Sequence, residues 1–178
     1  MKGFTKHLGI ITHIKELRFK RWLNKNASEV LARVGVITGQ VLLDYGCGSG
    51  TYAIPAAKLV GEKGRVYALD IDRKALERME NMAKKEGLKN IVRVDASDDK
   101  AIPLSDGTVD MILLIDVLQE IDDRESLFDE VHRILKQGGI VCVYPMHIGE
   151  EEVIRLATSR GFNLEGRKFD GHVLTFSR

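Results

Sequence analysis

The sequence predicts an α/β fold, a Rossmann-like, doubly wound and mostly parallel sheet between two layers of helices. Three observations carry that prediction. Short apolar runs bounded by turn residues alternate with helical patterns through most of the 178-residue chain. The run Val109 to Ile115 is apolar on both faces, as buried parallel strands are. Acids stand at or near the ends of three consecutive runs (Asp44, Asp70, Asp95), where open α/β sheets bind ligands.

The elements follow in order. Residues 1–35 read as one or two helices ahead of a core at 36–178, the whole forming a single domain. Val41 to Tyr45 is the first strand and Thr51 to Val60 the first core helix, with Pro55 tolerated near its start. Arg65 to Leu69 is the second strand. Asp72 caps a helix running to about Glu86, stopped at Gly87. Ile91 to Val94 is the third strand, and residues 96–107 are polar and turn-like. After the fourth strand, Val109 to Ile115, Asp122 and Glu125 have capping-box spacing for a helix with Leu127, Phe128, Val131, Ile134 and Leu135 on one stripe. Gly138 and Gly139 are expected to end that helix before the fifth strand, Ile140 to Tyr144. Glu150 to Arg160 is a last helix, stopped at Gly161. Two strands close the chain, Phe162 to Phe169 and His172 to Ser177, joined by the hairpin signal Asp170-Gly171.

Composition narrows the function classes. Hydrophobic residues make up 44% and charged residues 30%, with a net charge of +1, so bulk charge does not argue for nucleic acid. The charge is uneven, however. Lys2, Lys6, Lys15, Arg18, Lys20, Arg21 and Lys25 face one acid, Glu16, in the first 25 residues. Such a segment can attract phosphates, anionic lipid or an acidic substrate, or be a solvated helix face. No apolar run approaches the roughly 20 residues of a membrane span, and no signal-peptide pattern opens the chain. Cys47 and Cys142 lack metal-ligand spacing, and no metal site is expected. A cytoplasmic, disulfide-free protein is the expectation.

The loop after the first strand, VLLDYGCGSGTYA, carries the chemistry. A phosphate loop needs Gly-Lys followed by Ser or Thr, and none occurs. A dinucleotide fingerprint needs its third small residue where Thr51 stands; the glycine falls one place early, at Gly50. Gly46 and Gly48 let backbone approach a ligand closely. The following helix N-terminus favours a carboxylate or another anion. Asp44 repels pyrophosphate but suits an ammonium group. A ligand with both an amine and a carboxylate therefore fits this loop better than a phosphate. Asp70 can accept from ribose hydroxyls, with Asp72 better used as a helix cap. Asp95 can take an exocyclic amine proton, and the Ala96 N–H can face a ring nitrogen.

With those residues in place, the chain resembles the class I S-adenosylmethionine-dependent methyltransferases over roughly residues 38–177, especially the small-molecule branch that includes ubiquinone/menaquinone methyltransferases. LLDYGCGSGTY matches the acid-x-Gly-x-Gly-x-Gly motif, VYALDID the second motif and VRVDAS the third. VDMILLIDVLQEIDD and RILKQGGIVCVYP match the two units that follow. The resemblance implies Asp44, Gly46, Gly48 and Gly50 on the methionine part of the cofactor. It further implies Asp70 on the ribose, Ile71 against the adenine, Asp95 and Ala96 at the adenine edge, and Ile115 flanking. It implies a seven-stranded sheet of order 3-2-1-4-5-7-6 with the seventh strand antiparallel, in three α/β/α layers. The implied activity is transfer of the methyl of S-adenosyl-L-methionine, leaving S-adenosyl-L-homocysteine, to a small-molecule acceptor.

Asp116, Gln119, Glu120 and His147 are the substrate-side candidates. Many relatives carry His-His where this chain has Gln119-Glu120, so no catalytic base is assigned. Glu120 can equally be a surface residue. His7 and His13 lie in the segment that often lids the site in this family, whereas His132 and His172 read as structural. No Asn/Asp-Pro-Pro-Tyr motif, Pro-Cys pair or catechol-type metal cluster is present. An RNA or protein acceptor is the alternative suggested by the basic N-terminus, and a non-catalytic cofactor-binding regulatory module is another. Residues 145–149 are short, so residues 1–25 or a second subunit are expected to complete the pocket, unless it stays open.

Overall fold

The computed structural model describes residues 15–96 and 101–178. Residues 15–25 form helix α1, followed after Asn26 by α2 (Ala27–Val34). The core then runs β1 (Val41–Tyr45), α3 (Ala53–Val60), β2 (Arg65–Asp70), α4 (Arg73–Lys85), β3 (Ile91–Asp95) and β4 (Val109–Ile115). A single 3₁₀ turn (Leu118–Glu120) precedes α5 (Arg124–Ile134), β5 (Leu135–Tyr144), α6 (Glu150–Ser159), β6 (Asn163–Lys168) and β7 (Val173–Ser177). The sheet order is β3-β2-β1-β4-β5-β7-β6, and only β7 runs against the rest.

Two apolar layers hold the sheet. Leu23, Val30, Leu31, Leu76 and Met79 from α1, α2 and α4 pack on one face with Leu42 and Met111. Phe128, Val131 and Ile134 of α5 pack on the other with Phe162, Leu174 and Phe176. The periodicity of α5 and the two-sided apolarity of β4 thus mark burial correctly. Asp72 caps α4, its Oδ1 accepting from Lys74 N at 2.9 Å and Ala75 N at 3.2 Å. The Asp170-Gly171 turn has left-handed φ at both residues (56° and 90°), and His172 N–H donates to the Phe169 carbonyl at 3.1 Å.

Three local expectations are corrected. The first core helix begins at Ala53, because Gly50 to Tyr52 are spent closing a turn. Asp123, not Asp122, caps α5, accepting from Ser126 N at 3.0 Å; the preceding 3₁₀ turn shifts the entry by one residue. Gly138 and Gly139 do not end α5. The helix stops at Ile134 because Leu135 already pairs with Val109, and the glycines lie in an irregularity between that pair and Met111↔Ile140.

Candidate functional site

The strand ends converge as the parallel sheet requires. β1 pairs with both β2 and β4, so the order reverses at β1 and a crevice opens outside its carboxyl end. The loop 46–52 leaves β1 there, and Asp70 and Asp95 sit in register at the ends of β2 and β3.

Asp44 lies beneath this loop, only 3% exposed. Its Oδ2 is buried with no hydrogen-bond partner among the described residues. Burial pushes the carboxyl up to about 7; the Ala53 backbone N–H opposes this and the Asp70 charge adds to it. A buried acceptor with no donor is costly, which makes this oxygen a ready site for a cationic donor.

The glycines have separate reasons. A Cβ on Gly46 would stand 2.6 Å from Val117 Cγ2, and one on Gly50 2.7 Å from Met79 Cγ, so both are sites of close packing. A Cβ on Gly48 (φ 53°) would meet nothing within 4 Å among the described residues, which leaves the loop open on that side. Asp70 pins the loop: its Oδ2 accepts from Gly48 N at 2.7 Å and its Oδ1 from Asp72 N at 2.8 Å. Each oxygen keeps a second lone pair for a hydroxyl. Beside it Ile71 is 70% exposed, an apolar side chain left in solvent next to a polar cradle.

Two expectations at β3 change. Arg93, two residues back on the same strand face, grips Asp95 in a fork, Nη2 at 2.6 Å and Nε at 2.7 Å. These hydrogen bonds hold the carboxyl below its usual range, and both oxygens are already engaged. The Ala96 N–H donates to the Asp70 carbonyl at 3.1 Å, so it is not free to face a ring nitrogen. That bond continues the β2–β3 pairing by one residue, which the motif alone does not reveal.

The other half of the crevice is polar. Ile115 ends β4 almost buried, and Asp116 follows in a left-handed conformation (φ 58°), uncommon for a non-glycine and typical of functional sites. Gln119 Nε2 donates to the Asp116 carbonyl at 2.8 Å and to its Oδ1 at 3.0 Å, while Gln119 Oε1 is buried without a partner among the described residues. Glu120 is exposed at the end of the 3₁₀ turn. His147 follows β5 with φ 65°, its Nδ1 3.5 Å from Glu16 Oε2. His132 is partly buried against Phe162, and burial lowers its pKa, as a structural histidine requires. His172 stacks on Phe19 at 4.2 Å. His7 and His13 lie outside the described residues.

Helix α1 lies across these groups. Lys20 pairs with Asp116, Phe19 meets Tyr144 edge-on at 5.7 Å, and Tyr52 Oη donates to Asn24 Oδ1 at 2.9 Å. Burial pushes the Tyr144 hydroxyl up to about 12, with Asp116 and Glu16 adding to it, so it stays protonated near neutrality. Lys20 and Asn24 escaped the sequence reading, being hidden in a basic run. The available signal was helical spacing, which places Glu16, Phe19, Lys20, Leu23 and Asn24 on one arc.

A family described as a methyltransferase domain matches residues 38–165. A demethylmenaquinone methyltransferase of Geobacillus stearothermophilus is 33% identical over 128 residues, 71% of this chain and 54% of that protein. A ubiquinone/menaquinone biosynthesis C-methyltransferase of Klebsiella pneumoniae is 32% identical over 109 residues, 61% and 43% respectively. The chain therefore spans about half the length of the curated relatives it matches. Among solved structures, a SAM-dependent methyltransferase from Aquifex aeolicus superposes with a TM-score of 0.76 at 25% identity, covering 93% of this chain and 96% of that one.

Proposed function

This chain belongs to the methyltransferase domain family, and on that premise we propose that it moves the sulfonium methyl of S-adenosylmethionine to a small-molecule acceptor by direct in-line displacement. The observation that carries the reading is the Oδ2 of Asp44 under a glycine loop, buried and without a hydrogen-bond partner among the described residues. It fits the cofactor's ammonium as it fits no phosphate. Asp70 turns its remaining lone pairs to the ribose hydroxyls, and Ile71 gives the adenine an apolar cover. Gly46, Gly48 and Gly50 admit the methionine portion, and Ile115 lines the opposite wall. Asp95 and Ala96 contribute at the adenine edge mainly through strand position, since their polar groups are engaged with Arg93 and Asp70.

The bound cofactor supplies a methyl already made electrophilic by its sulfonium, so the protein's task is orientation. In this reading Asp116 and Gln119 hold the acceptor, with His147 and the exposed Glu120 at the margin. The quinone-type relatives favour an aromatic small molecule among the acceptors. Isothermal titration with S-adenosylmethionine and S-adenosylhomocysteine tests the reading: both bind at micromolar concentrations, and absence of heat at high micromolar ligand overturns it. A radiolabelled-methyl screen of metabolite, RNA and protein pools then identifies the acceptor.

Helix α1, within the N-terminal 1–35 segment, acts in this scheme as a cover on the 36–178 core. Lys20→Ala is expected to speed release of S-adenosylhomocysteine about threefold, matching the worth of a half-exposed ion pair. The melting temperature should barely move, and Lys20→Arg should restore slow release. An unchanged release rate in stopped-flow would separate α1 from closure of the site.

A further inference from the structure

Helix α1 has a second face that the proposed chemistry does not use. At 100° per residue, Arg21, Lys25, Arg18, Trp22 and Lys15 fall within an arc of about 120°. All five are exposed, and Trp22 is 38% exposed. Among the described residues, the four cations of this arc form no ion pair. The opposite arc carries Glu16, Phe19, Lys20 and Leu23, which clamp α1 to the core. The stripe continues past Trp22 into a groove of about 500 Å³ that also holds Arg33, Arg167 and Lys168. Trp22 meets Phe169 edge-on at 5.7 Å, and Arg33 lies 4.2 Å over that ring. Three acids stand nearby. Glu29 pairs with Arg33, Glu150 pairs with Arg167, and Asp170 lines the groove. They leave the α1 stripe and Lys168 uncompensated among the described residues.

We propose that this face docks the protein on an anionic membrane surface. A convex helix face bearing four cations around an exposed indole matches a plane of anionic headgroups. The cations are drawn to the surface potential, and an indole settles at headgroup depth. Single-stranded nucleic acid is the weaker fit, since it needs a run of exposed rings for stacking. Here Phe169 is 8% exposed and Phe19 is half-buried and stacked on His172, leaving Trp22 the one exposed ring of this groove's lining among the described residues. Docking would bring the back of α1 to the bilayer and its other face to Asp116. An apolar acceptor could then enter from the lipid; this last point alone rests on the acceptor class proposed above.

The chain's one tryptophan makes the test direct. The full chain, without cofactor, is titrated with vesicles of one part phosphatidylglycerol to two parts phosphatidylcholine, and with pure phosphatidylcholine. Trp22 fluorescence and co-sedimentation are followed. The expected result is a blue shift and sedimentation with the anionic vesicles only, reversed by high salt. Arg18→Glu/Arg21→Glu/Lys25→Glu should lower the partition coefficient at least tenfold with an unchanged far-ultraviolet spectrum. No response to anionic vesicles overturns the proposal and leaves a solvated face. Tighter, salt-sensitive binding to a single-stranded oligonucleotide in its place overturns it in favour of nucleic acid. Neither arm involves the cofactor, so failure here is distinct from failure of the methyl-transfer reading.

Discussion

Asp44→Asn is expected to make the ligand-free protein more stable at pH 8 while weakening S-adenosylhomocysteine binding by about 100-fold. The two effects share one cause. The carboxyl is buried and titrates near 7, well above its ordinary 3.8. A group that binds its proton more tightly when folded favours the fold most below the unfolded value. That contribution is lost as pH rises to about 7 and is level beyond. The neutral amide escapes the cost of a buried charge, a gain on the order of 4 kcal/mol above pH 7, or roughly 8–16 °C in melting temperature. The advantage should shrink as pH falls from 8 towards 5. Ligand affinity of the native protein should instead decline as pH drops below about 7, because the ammonium needs the ionised carboxylate. In the Asn variant that slope should flatten. Calorimetry at several pH values checks this, and an Asn variant that keeps both affinity and slope would remove Asp44 from the site.

Gly48→Ala and Gly50→Val should fail differently although they share one motif. At Gly50 the φ of 91° and the 2.7 Å approach to Met79 Cγ leave no room, with Ile54 Cγ1 at 3.1 Å behind. Valine there should cost about 3 kcal/mol or more and lower the melting temperature by roughly 6–12 °C. At Gly48 a Cβ meets no atom of the described residues within 4 Å, so alanine costs only the left-handed backbone, about 1–2 kcal/mol. Its methyl would project into the open side of the loop and should weaken cofactor binding more than tenfold. Thermal melts with and without S-adenosylhomocysteine separate the two. A Gly48→Ala protein that binds normally would show that the ligand does not pass this backbone.

Much of the architecture was legible because its signals are local. The caps at Asp72 and Gly87, the Asp170-Gly171 turn and the α5 stripe depend only on residues within a few positions of each other. The errors arose where a distant strand intervened. Leu135 left the helix because Val109 was there to pair with it, and Ala96 spent its N–H on β2. The cap at Asp123 rather than Asp122 has a different cause. Both acids fit a cap, and only the path of the 3₁₀ turn before them selects one.

The glycine loop, the acids at the carboxyl ends of β1, β2 and β3, and the alternation that places them at one edge of a parallel sheet are legible along the chain. Periodicity and turn chemistry are enough for that. Only the packed structure reveals that Lys20 meets Asp116, that Arg93 holds Asp95, and that Asp44 keeps one oxygen buried without a donor among the described residues. Those facts depend on which side chains close packing brings together and which it leaves unpaired, and no spacing along the chain encodes that.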